Sequence, residues 1–297
     1  MNERQIQPGR PPASRRPVAV VTDSATALPA DLARAAGLHI AAMEITIGGR
    51  TYEDGRGLTT DQFAALRSSH VRPQTAAPTP GVWLERMRDA ARDAESVLCV
   101  TLSAKLSAAY DTACTARGTA ATEMAGVEVR VLDSDAAAGS EALVAMAAAR
   151  RAGGGGSLDE VEQEARTVAE RVRLLAYLDT LEYVWRSGRV PRVAVWASSL
   201  LDVKPVMELY RGRIGQVARP RSRRRAADRI FAEVRSAAAG RRSHVVVMHT
   251  EAADDAEGLR ARIEAELAPV ELYVMPFAAF MAAHTGPGLV GVSYWCE

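Results

Sequence analysis

Aromatic residues are scarce in this chain, with four Phe, four Trp and seven Tyr among 297 residues. Alanine and arginine are used heavily instead, a compositional habit that carries little functional content. Cysteine is scarcer still. Cys99, Cys114 and Cys296 are odd in number and far apart, and no pair has metal-ligand spacing, so the sequence predicts a reduced, cytoplasmic setting. Neither sign of charge is in excess. With 37 basic and 36 acidic residues the net charge is +1, which leaves no global field to recruit nucleic acid or an anionic membrane. No apolar run is long enough to span a bilayer, and the small-residue stretch Ala136–Ala149 contains Glu141. Also missing are a Gly-x-x-x-x-Gly-Lys phosphate loop, a Gly-x-Gly-x-x-Gly turn after a strand, a His-Glu-x-x-His helix and a nucleophile elbow. No complete catalytic apparatus is written in the chain.

What is present suits a globular protein of two domains, with 48% hydrophobic and 25% charged residues. Residues 1–16 carry Pro, Arg and Gln without an apolar block and predict a disordered tail. The run Gly153–Gly156 stops one helix, and Ser157 caps the next, so the division falls there: an N-terminal α/β domain over 17–155 and a C-terminal one over 156–297. In the first, strand-like Val18–Thr22, Ser96–Leu102 and Val127–Leu132 alternate with helix-like Pro29–Ala36, Thr79–Arg92, Ser103–Gly118 and Gly139–Arg151. That alternation implies a parallel, Rossmann-like sheet with helices on both faces. In the second, Val203–Tyr210 and Ile214–Ala218 form a hairpin around Gly212, and a mixed α/β sheet is expected.

Ligands of parallel sheets sit at the carboxyl ends of strands. Three polar motifs fall there: Asp23-Ser24, Ser103 and Asp133-Ser134. Ser103 is placed to open a helix, whose free N–H groups suit a carboxylate or phosphate. Thr75 lies in Arg72-Pro73-Gln74-Thr75-Ala76-Ala77-Pro78, read as a loop stiffened by its prolines. His284 follows the apolar, strand-like Leu272–Met281 and precedes Gly286-Pro287-Gly288, where the backbone can turn and approach a ligand. His244 and His249 bracket a buried strand and read as structural. Arg189, after Gly188, reads as an exposed recognition arginine. Arg219–Arg225 is the one strong charge cluster; it has no interleaved aromatic, and it fits a solvated helix face or a docking surface for an acidic partner.

Taken in order, these segments resemble the DegV family of fatty-acid-binding proteins from about Val18 to Trp295. The resemblance is carried by Thr22-Asp23-Ser24 with Leu28-Pro29, Pro73-Gln74-Thr75 with Pro78, and Ser103-Ala104-Lys105-Leu106-Ser107 with Tyr110. Asp133-Ser134, Leu178–Tyr183 with Gly188-Arg189-Val190, and His284-Thr285-Gly286-Pro287-Gly288 complete it. It implies two α/β domains with a ligand tunnel between them, holding one long-chain fatty acid and no other cofactor. Thr75, Ser103 and His284 match the family's carboxylate-binding positions, and Arg189 matches an arginine that faces a partner. The resemblance further implies a non-catalytic subunit that presents the fatty-acid carboxyl to an ATP-dependent kinase subunit making acyl phosphate.

The chain departs from the family pattern at Ala76, Ala104, Ala108 and Ala109, where hydroxyls or glycine are usual, and at Ala27, Ala138 and Ser187. Losing a donor to a charged group costs about 1–3 kcal/mol, whereas each buried methylene contributes roughly 0.8 kcal/mol. The acyl chain is therefore expected to dominate affinity and the polar anchor to set orientation. Two rival readings are a small-substrate phosphotransfer component akin to dihydroxyacetone kinases, acting near His284, and a regulatory nucleic-acid-binding protein using Arg219–Arg225.

Overall fold

A computed structural model of the chain describes residues 15–68, 72–190 and 203–297. The expected tail over 1–16 falls almost wholly outside them. The first sheet comprises β1 (Arg16–Asp23), β2 (Leu38–Ala41), β6 (Ala94–Thr101) and β7 (Glu128–Asp133), all parallel in the order β2-β1-β6-β7. The stretch 38–47, read from sequence as one apolar run, breaks after Ala41. Its second part, β3 (Glu44–Ile47), leaves the parallel sheet and forms an antiparallel trio with β4 (Arg50–Glu53) and β5 (Gln74–Ala76). The second main sheet is mixed, ordered β10-β9-β8-β13-β11-β12. It contains β8 (Arg173–Tyr177), the hairpin β9 (Val206–Tyr210) and β10 (Arg213–Ala218), β11 (Ser243–His249), β12 (Glu271–Pro276) and β13 (Val290–Cys296). Its only parallel pair is β11 with β12.

Helices fill the spaces around these sheets. α1 (Ala30–Ala35) and α2 (Thr60–Ser68) are short. α3 (Pro80–Ala91) and α4 (Ala109–Glu123) cover one face of the first sheet, burying Trp83, Met87, Ala113 and Ala116. α5 (Gly139–Gly153) and α6 (Leu158–Arg171) lie between the two main sheets. After the short α7 (Glu182–Arg186), α8 (Arg223–Ala238) and α9 (Ala253–Leu267) cover the far face of the second sheet with Ile230, Phe231, Val234 and Ile263. α10 (Ala279–Thr285) closes the series.

The helix starts follow side-chain capping. Thr79 accepts from the Val82 N–H with Pro80 at the first helical position. Ser157 and Glu160 form a reciprocal capping box. Thr59 and Gln62 do the same at α2.

Among the described helices α5 differs from the others because it is buried on all sides; from Gly139 to Ala149 each residue is shielded from solvent. A helix that is apolar all round belongs in the interior, and here both main sheets pack against it. Its alanines keep the sheets close, so the alanine content noted in the sequence has a structural use at this helix. Gly139 marks the tightest approach. A Cβ there would lie 2.7 Å from Met248 Sδ and 2.8 Å from Val246 Cγ1.

The first turn of α5 also carries Glu141, wholly buried, with Thr22 Oγ1 donating to its Oε1 at 3.3 Å. Burial, then the neighbouring Asp23, pushes its carboxyl well above the usual carboxylate range. Asp23 is itself pushed up to about 6 by burial. Its two oxygens accept from the N–H groups of Ala25 at 3.0 Å and Leu102 at 2.9 Å. Adding a methyl at the tight spot tests the sandwich. Gly139→Ala should destabilise the fold by about 1–3 kcal/mol, read as a lower urea midpoint with an unchanged m-value.

Candidate functional site

The three polar motifs at the strand ends do converge, but they hold backbone. Asp133 accepts from the N–H groups of Ala104 at 3.2 Å and Asp135 at 2.9 Å. Ser134 Oγ donates to the Thr101 carbonyl at 2.7 Å. With Asp23 on Leu102, these bonds fix the shape of the turn over residues 102–108. The helix expected from Ser103 begins only at Ala109, because Ser103 and its neighbours are held in this turn. Ser103 is fully buried, with its Oγ accepting from the Lys105 N–H at 3.3 Å. It packs beneath the hairpin tip at Gly212 and does not line the adjacent cavity. Ser107 does line it, and its Oγ accepts from the Ala109 N–H at 3.2 Å at the start of α4.

Thr75 lies in a strand where a loop was expected. The edge strand β5 pairs with β3, Thr75 opposite Ile45, so its partly buried side chain points inward from a sheet. His284 likewise sits in helix α10, where the sequence reads as strand-like up to Met281. The two meet: Thr75 Oγ1 and His284 Nε2 are 3.0 Å apart. Phe280 stands edge-on to the imidazole, ring centroids 5.1 Å apart.

α10 owes its position to groups far away in sequence. Asp54 is buried and accepts from the Phe280 N–H at 3.1 Å and from Ser24 Oγ at 2.9 Å. At its other end, Gly286 and Gly288 adopt φ of 72° and 79°. A side chain on Gly286 would strike the Tyr183 ring, and one on Gly288 would strike the Asp179 carboxylate. These glycines admit protein, not ligand, to close contact with the backbone.

The cavity beside the Thr75–His284 pair has a volume of about 160 Å3 and is walled by both halves of the chain. Leu102, Leu106, Ala137 and Ala138 come from the first; Met207, Ile214, Phe277 and Leu289 are among the contributions of the second. Ala138 holds φ +53° at this wall, a left-handed backbone for a residue with a Cβ. Ser107, Glu208 and Thr285 also reach this wall, but one end is marked by a polar group of its own. Thr75, Ser187, Arg189 and His284 line the cavity and also a wider polar vestibule outside it. Burial, then the Arg189 charge, pushes His284 down to about 4, so the imidazole is neutral at pH 7. Thr75, His284 and Arg189 are thus brought together, while Ser103 is kept behind the turn.

Elsewhere, His244 is structural: it bridges Glu271 at 2.8 Å and Glu297 at 3.0 Å and stacks on Trp295. In the basic cluster, Ser222 caps α8 and Arg223 is paired with Asp179 and Asp255. Among the described residues no group of three or more His, Cys, Asp or Glu could hold a metal ion, and no helix is long and apolar enough to cross a membrane. Asp54→Ala should leave the Phe280 N–H unpaired and cost about 1–3 kcal/mol. Asp54→Asn, which keeps an acceptor, should cost less; thermal melts of both variants check the order.

Comparison with known proteins follows the same outline. The profile described as an uncharacterised protein of the DegV family matches residues 17–297. A DegV domain-containing protein of Streptomyces coelicolor is 33% identical over 279 residues, covering 93% of this chain and 98% of its own length. A fatty-acid-binding DegV family protein from Thermus thermophilus superposes with a TM-score of 0.87 at 28% identity, over 95% of this chain and all of its own. DegV of Bacillus subtilis, a fatty acid binding protein, shares the fold with a TM-score of 0.85 at 23% identity, over 95% of this chain and all of its own. From residue 17 to its last residue, this chain belongs to the DegV family.

Proposed function

We propose that the chain binds one long-chain fatty acid, with the acyl chain in the apolar cavity and the carboxylate at its polar end. The observation that carries this reading is a largely apolar cavity, walled by both halves, that meets the polar vestibule at Thr75 and His284, which are at hydrogen-bond distance. The fatty-acid binding of the Thermus thermophilus relative supports it. Thr75 and His284 hold the carboxylate, and Ser107 takes the part that the family resemblance gives to Ser103. Ser103 serves from behind, by shaping the turn. An apolar cavity of this kind does not suit a small hydroxylated substrate, and in the basic cluster Arg223 is already paired with Asp179 and Asp255.

The carboxylate would face the vestibule and Arg189, at the protein surface. That exposure suits a subunit that presents its ligand to a separate ATP-dependent kinase, and the chain has no phosphate loop of its own. We assign it the role of carrier or substrate-presenting subunit.

Charge chemistry at His284 follows from its surroundings. Empty, the imidazole is neutral above about pH 4. A bound carboxylate favours the charged form and raises that value, so binding takes up a proton. Affinity should therefore fall as pH rises from 5 to 8, and His284→Gln should flatten the profile. Mass spectrometry of native and then denatured protein tests the reading itself. A stoichiometric fatty acid released on denaturation is the expected result; no release and no uptake of added fatty acid would overturn it.

A further inference from the structure

The vestibule outside Thr75 and His284 is larger than a carboxylate requires. It encloses about 820 Å3 and is lined by Arg67, Arg72, Arg186 and Arg189, with Glu182 as its one carboxylate. Ion pairing sorts the four arginines. Arg67 is held by Glu251 at 2.8 Å, and Arg186 by Glu182 at 2.5 Å. Among the described residues Arg72 and Arg189 have no carboxylate partner. Arg189 reaches only the Ser187 carbonyl, at 2.5 Å. Two uncompensated guanidiniums therefore face one recess.

The fatty-acid carboxylate offers a single charge, placed at the inner end. A phosphate monoester offers two charges and three oxygens, and the planar fork of a guanidinium fits those oxygens in pairs. The Gln74 amide and the Tyr183 hydroxyl on the same wall are further donors of the kind that completes such a shell.

We propose that the vestibule is a second anion site, which takes a phosphate monoester dianion between Arg72 and Arg189, next to the mouth of the cavity. The phosphate arrives either as the head group of a single-chain lipid whose tail enters the cavity, or as free phosphate. In the first form the inference rests on the fatty-acid reading above; in the second it does not. Arg72 is exposed on the segment before β5 and has no ion pair among the described residues, so its removal is a clean probe.

Isothermal titration of the full chain at low salt separates the two readings. The ligands are hexadecanoate, hexadecyl phosphate and inorganic phosphate, on wild type and Arg72→Ala. Hexadecyl phosphate should bind wild type about tenfold more tightly than hexadecanoate. Arg72→Ala should remove most of that preference while moving hexadecanoate affinity by less than about threefold. For the free-phosphate form, inorganic phosphate should bind, and Arg72→Ala should abolish it. Raising the salt should weaken phosphate binding more than hexadecanoate binding. If hexadecanoate binds but neither phosphate ligand responds to Arg72→Ala, the second site is overturned and the fatty-acid reading stands. If hexadecanoate does not bind while inorganic phosphate does so through Arg72, the second site stands and the fatty-acid reading falls. If no ligand binds, both fall.

Discussion

The architecture depends on one helix being held between two sheets. α5 is shielded from solvent along most of its length, and residues of both sheets pack on it. Small side chains make this possible: Gly139 lets the helix meet Met248 and Val246 of β11, and the alanines after it keep the layers in contact. The helix N-terminus is also where the cavity begins, since Ala137 and Ala138 form part of its wall. Packing between layers and the shape of the cavity are thus set by the same few residues. A buried Glu141 in such a place costs least with its proton on, and burial, which raises its carboxyl well above the usual carboxylate range, favours that form.

The site is electrostatically reticent when empty. His284 is neutral because it is buried and because Arg189 stands near. Fixed positive charge lies further out, on the guanidiniums of the vestibule. On the fatty-acid reading, an incoming carboxylate would meet the vestibule arginines first and the buried imidazole last. On that reading, desolvation would be deferred to the step at which the Thr75–His284 pair could share the charge.

Much of this organisation was legible in the sequence. The alternation of Val18–Thr22, Ser96–Leu102 and Val127–Leu132 with helical segments carried the parallel sheet, because buried parallel strands are continuously apolar and end in turn residues. Residue context singled out His284 and Thr75, the family resemblance supplied the carboxylate role expected of them, and their meeting, 209 residues apart in sequence, was not derivable from spacing. Local chemistry misled in three places. Ser103 looked like a helix cap, but the carboxylates of Asp23 and Asp133 claim the N–H groups around it and delay the helix to Ala109. Met281 and its neighbours looked strand-like, but the distant Asp54 supplies the cap that lets them form a helix. Gly286 and Gly288 looked like room for a ligand and proved to be room for Tyr183 and Asp179. Each miss turns on a long-range partner that no local pattern encodes.

Those two glycines also have a mechanical meaning. Where a side chain separates two segments, its rotamers can absorb a displacement of one before the other feels it. Between α7 and α10 that cushion is a single ring, because Tyr183 rests directly on the backbone at Gly286, which has no side chain of its own to add. α7 carries the exposed Trp185 on its outer side, and α10 carries His284 two residues before Gly286. The surface at Trp185 and the imidazole of His284 are therefore linked through one ring contact a few residues from each. A load on the outer face of α7 has its shortest path to the imidazole through that ring.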